Sequence, residues 1–201
     1  MTRRGTFAWG RWIAFGAVLA WPFVASAQSS QPFWAGYARD AQHSALSTVA
    51  SAPLSRIRWQ TAVDRRPQFF GDSLLAHYGS PVITQANTVI VPMKGHATGG
   101  FRVTAVDGTD GRLLWRQSSS YRMPPHDWVM PFGPALSPTG KLWIPGPAGT
   151  LYVRTVLDVR GHQRRQQVVF YGLDDYRLDR RTYLNNVFIN TPITTGADGE
   201  V

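Results

Sequence analysis

The chain of 201 residues carries 21 Lys and Arg against 12 Asp and Glu, a formal net charge of +9, and no cysteine. Disulfides and lipid attachment through an N-terminal cysteine are therefore excluded, and stability is expected to come from packing. A single glutamate (Glu200) and two lysines (Lys94, Lys141) leave the strong surface helix formers scarce beside Val, Thr, Tyr, Phe and Trp, with 19 Gly and 14 Pro, a balance that predicts an all-β fold.

At the N-terminus, Arg3, Arg4 and Arg11 precede an apolar run from Trp12 to Val24 and the small residues Ala25, Ser26 and Ala27. That order predicts a signal peptide over residues 1–27, cleaved before Gln28, and a periplasmic or secreted product. The run falls short of the roughly 20 residues of a membrane span and contains Pro22, so no stable membrane anchor is expected. Its removal leaves 18 basic against 12 acidic residues, a mild excess that does not call for nucleic acid. Residues 28–56 form a lead-in, in which "WAGYARDAQHSALS" (Trp34 to Ser47) reads as an ordered loop covering one face of the downstream strands.

From residue 57 onward the chain repeats. "GSPVIT" at 79, "FGPALS" at 132 and "NTPITT" at 190 place Pro81, Pro134 and Pro192 at intervals of 53 and 58 residues, each followed by a turn. In the first unit (79–131) "TVIVPM", "FRVTAVD" and "RLLWRQ" follow as strands. "LWIP", "TLYVRTVLD" and "QQVVFYG" follow in the second (132–189). Four short strands at this interval predict a β-propeller of four-stranded antiparallel blades. "RIRWQTAVD" (Arg56 to Asp64) is an isolated fourth strand, with Trp59 one period before Trp115, expected to close the ring by completing the last blade. Propellers have roughly 4 to 8 blades, so two units, a spare strand and the start of a third at residue 190 predict an incomplete ring, from a truncated reading frame or a fragment.

Ala105, Asp107, Gly111 and Trp115 in "AVDGTDGRLLW" resemble the AxDxxTGxxxW repeat of the pyrroloquinoline-quinone-like β-propellers, found in quinoprotein dehydrogenases and outer-membrane assembly lipoproteins. Asp110 stands in place of the usual Thr, and the second unit keeps Leu157, Asp158 and the aromatic pair Phe170 and Tyr171. The resemblance implies that Trp59 and Trp115 dock on neighbouring blades while the glycine makes the hairpin turn. It also implies quinone and calcium as possible cofactors; in that family the quinone is held by a tryptophan floor, a vicinal disulfide and acidic calcium ligands, whereas this chain has no cysteine and one glutamate.

No cofactor is evident from the residues themselves, and no catalytic signature is present. His43, His77, His96, His126 and His162 have no metal-ligand spacing, no GxSxG occurs, and the glycine-rich stretches open no helix. Ligand-binding candidates are His77 and Tyr78, just ahead of a first strand, and His126 and Asp127 in the longest connector, 118–131. Adjacent residues on an extended chain point to opposite sides, so His126 and Asp127 do not make a ready general base and its orienter. "RGHQRRQ" at 160–166 reads as a solvated hairpin tip. The expectation is a binding or scaffold module for a protein or small molecule, with a quinone-dependent oxidoreductase as first alternative and a propeller enzyme acting on polysaccharide as second.

Overall fold

The computed structural model describes residues 33–47, 49–50, 53–62, 69–74, 79–94, 100–121 and 132–201. A two-residue hairpin, β1 (Phe69–Phe70) and β2 (Ser73–Leu74), precedes two antiparallel four-stranded sheets. The first runs β3 (Val82–Ile83), β4 (Thr88–Lys94), β5 (Phe101–Asp107) and β6 (Leu113–Ser119) in chain order. The second repeats that meander with β7 (Ala135–Leu136), β8 (Leu142–Pro145), β9 (Leu151–Arg154) and β10 (Gln166–Val168). The fold is mostly β, in keeping with the all-β expectation, and β3 and β7 each begin one residue after Pro81 and Pro134.

Alternation explains the strands. Val82, Ile90, Ala105 and Trp115 stand opposite one another across the first sheet, and all four are buried. Pro92 sits inside β4 without disrupting it, because β3 reaches only Val89 and Ile90 and leaves β4 an edge at that point. The row containing Trp115 faces the second sheet, whose Leu136, Leu142, Ile144 and Tyr152 join the same core. Phe101, Tyr121 and Phe132 close one side of that core, with ring centroids 4.4 to 5.4 Å apart.

One turn hydrogen-bond pattern occurs three times, twice between the first two strands of a sheet and once near the C-terminal end of the chain. In Thr84–Thr88, Ser137–Lys141 and Gly196–Glu200 the first amide donates to the fifth carbonyl and the fourth amide to the first. The fourth residue has φ of 63° at Asn87, 77° at Gly140 and 86° at Gly199. Asn and Gly are the residues that tolerate this left-handed geometry.

Three departures from the sequence reading are clear. The segment 166–172 is strand only to Val168, and two short helices follow, α1 (Leu173–Leu178) and α2 (Arg180–Asn186). Their local code is an Asp179 side chain accepting from the Thr182 amide and an Asp174–Arg177 pair. The third strand of the second unit stops at Arg154, since the next residues form a long turn. Neither 56–62 nor 190–195 pairs as a strand, although a turn of the same hydrogen-bond pattern forms at 196–200.

Candidate functional site

His77, Tyr78, His126 and Asp127 lie outside the described residues, as does the segment 1–27 expected to be a signal peptide. Of the other residues singled out in the sequence, Trp59 meets Gly108 and Gly111 in the turn that begins at Asp107, Ala105 stands opposite Trp115 within the first sheet, and Trp115 bonds Leu157 beyond the second sheet's third strand. Trp115 is 4 % exposed, its indole Nε1 donates to the Leu157 carbonyl at 2.6 Å, and the Arg154 guanidinium stacks 4.0 Å from its ring centroid. One unit earlier, Trp59 Nε1 donates to the Gly108 carbonyl at 2.8 Å. Each tryptophan therefore precedes a turn on which it is fastened by the same atom.

Gly111 has φ of +73°, and a Cβ there would lie 2.5 Å from Trp59 Cε3, so glycine is needed both for the turn and for the indole beside it. Ala105 is fully buried opposite Trp115, where a larger side chain would displace the indole. Asp107 accepts from the Thr109 amide at 2.8 Å and faces Arg112 at 3.4 Å. The Thr109 hydrogen bonds, assisted by Arg112, hold its carboxyl below the usual range.

Each of these aspartates faces a protein donor. Asp107 and Asp110 both serve Arg112 and their own turn, and Asp158 accepts from the Thr84 hydroxyl at 2.6 Å. Among the described residues no three His, Asp or Glu side chains converge.

Two features lay beyond sequence reasoning. Residues 34 and 35 run between the innermost strands of the two sheets. Trp34 exchanges backbone bonds with Ile83 at 2.9 Å, and the Ala35 carbonyl accepts from the Leu136 amide at 2.6 Å. Thr195 bonds the Leu136 carbonyl from the other side. Trp34 and Ala35 of the lead-in thus lie along the inner strands of both sheets. No local pattern in "PFWAGY" signals this long-range pairing.

The second feature is a cleft of about 770 Å³ between the outward face of the second sheet and the C-terminal segment. Trp143, Leu151, Val168, Phe188 and Ile193 line it, and the Trp143 indole N–H is buried without an acceptor among the described residues. Trp143 occupies in the second sheet the row held in the first by Ile90, the row that faces the next unit. The cleft is the same kind of intersheet space that the second sheet fills for the first.

No protein-family model, curated protein or solved structure matches this chain.

Proposed function

We propose that the chain is an exported β-propeller repeat protein of the pyrroloquinoline-quinone-like kind, acting as a binding or scaffold module and not as an enzyme. The observation that carries this reading is the repeated docking of a tryptophan indole on a backbone carbonyl of the following unit, Trp59 on Gly108 and Trp115 on Leu157. The turn at Gly196–Glu200, matching those at 84–88 and 137–141, supports a third blade beginning near Pro192. In a propeller the connectors at one face carry recognition. Those connectors hold His77, Tyr78, His126 and Asp127, whose partner is a protein or small molecule.

Two measurements test the reading. Expressed with residues 1–27 in a Gram-negative bacterium, the protein should be recovered from the periplasm beginning at Gln28; a cytoplasmic product retaining Met1 removes the export claim. Titration with pyrroloquinoline quinone and calcium should leave the cofactor's absorption unchanged. A saturable spectral shift would replace the scaffold reading with the oxidoreductase.

A further inference from the structure

One end of the two sheets combines arginines with exposed aliphatic side chains. Trp59 seats residues 54–59 against the turn at 108–111, and Arg160 reaches back to the Leu113 carbonyl at 3.3 Å. The segments 54–59, 108–113 and 156–164 therefore form one continuous stretch of surface. Arg56, Arg58, Arg160 and Arg164 are exposed on it, and none has a carboxylate partner among the described residues. Its acids are occupied: Asp107 and Asp110 face Arg112, and Asp158 accepts from Thr84. The other carboxylates at this end, Asp198 and Glu200, belong to the turn beyond the second sheet.

Among the described residues nine large hydrophobic side chains are exposed, and four of them lie here: Leu54 at 103 %, Ile57 at 77 %, Val156 at 44 % and Val159 at 57 %. A scattered exposed aliphatic needs no account, but four interleaved with unpaired guanidinium groups do. A polyanion such as nucleic acid or acidic polysaccharide would use the charges and leave the aliphatics in water. An anionic bilayer surface uses both, with guanidinium groups at the phosphates and aliphatics at the acyl boundary.

We propose that this end docks peripherally on a membrane surface rich in anionic phospholipid. No helix of the described residues is long and apolar enough to cross a membrane. The placement of these residues is independent of the propeller reading.

The absence of cysteine permits a direct test with the full chain. Val159→Cys and, separately, Ile57→Cys are labelled with a nitrobenzoxadiazole fluorophore. Asn185→Cys serves as control, on α2, which packs against the 147–149 turn at the opposite end of the second sheet. Vesicles of phosphatidylcholine with phosphatidylglycerol should brighten and blue-shift the labels at 159 and 57 but not at 185, and phosphatidylcholine alone should do neither. The label reads contact of this end itself, so adsorption through the apolar run at 12–24 does not mimic it. Adding Arg160→Gln and Arg164→Gln should weaken the response roughly five-fold per arginine, and salt should weaken the parent. Labels at 159 and 57 that stay unchanged, or that respond no more than 185 or equally to both lipids, overturn the proposal. Binding of dextran sulfate with no response to anionic vesicles would assign the surface to polysaccharide instead.

Discussion

Trp115 shows how one side chain ties two sheets together: it buries its ring, donates from Nε1 to Leu157 and supports Arg154, which is itself 2 % exposed and fastened to the Val156 and Gly161 carbonyls. Trp115→Ala leaves that guanidinium without its aromatic face and should cost about 3 to 5 kcal/mol in a urea titration, well above any exposed substitution such as Arg164→Gln. Gly111 gives a sharper comparison. Gly111→Ala meets both a left-handed φ and the Trp59 ring, whereas Gly140→Ala meets a left-handed φ of 77° with open space. The second substitution should cost about 1 kcal/mol and the first clearly more. Placing both in a Trp59→Ala background should remove the difference, and a persistent difference would mean that the indole is not its cause.

Tyr121 adds a pH dependence. It is 3 % exposed and donates to the Ile189 carbonyl, and burial pushes its phenol up to about 12. The folded state holds the proton more tightly than the unfolded chain, so this contribution is fully present below the ordinary tyrosine value near 10 and is lost as pH rises through about 12. Tyr171, also raised to about 12 chiefly by burial, acts in the same window. Urea midpoints should therefore fall between pH 10 and 12, and less steeply in Tyr121→Phe. A flat profile across that interval in the parent would contradict the burial of both phenols.

At the scale of elements, the edge strand β6 is covered by the following unit. Arg160 donates to the Leu113 carbonyl and Arg165 to the Ser118 carbonyl, so charged side chains occupy outward carbonyls that would otherwise pair with another strand. The helices after β10 are held similarly from outside. Tyr171 stacks on Tyr183 at 4.2 Å and donates to the Ala148 carbonyl, joining α2 to the turn before β9. Helices of six and seven residues are not stable alone, so packing carries them and the Asp179 cap starts the second. Asp179→Ala should cost about 1 kcal/mol and loosen α2 before either sheet, read as faster amide exchange at Tyr183 and Val187.

For the whole molecule, the lead-in links the two repeats where they come closest. Trp34 and Ala35 bond β3 on one side and β7 on the other. The inner strands are only two residues long, and these bonds add pairing that they do not supply to each other. Trp34→Pro removes the donor to Ile83. Amide exchange at Ile83 and Leu136 should then accelerate together while Val103 and Ala105, in the middle of β5, keep their protection. Acceleration at Ile83 alone would show that the segment does not couple the sheets.

What the sequence determined by itself was whatever local pattern encodes. Period-two alternation, prolines ahead of each first strand and Asn or Gly at each turn sufficed for two four-stranded meanders and their order, because pleat and turn chemistry act within a few residues. Among the residues of the Ala, Asp, Gly and Trp spacing, Asp107 and Gly111 shape one strand turn, whereas Trp115 bonds the Leu157 carbonyl of the following sheet. Tertiary structure decided the rest. Trp59 and Trp115 find their acceptors 49 and 42 residues away, and Trp34 pairs with a strand in the following repeat. The helices at 173–186 were missed because their stabilising contacts, Tyr171 to Ala148 and α2 to the turn before β9, are not local. Long-range pairing depends on which surfaces the folded chain brings together, and neither composition nor spacing carries that information.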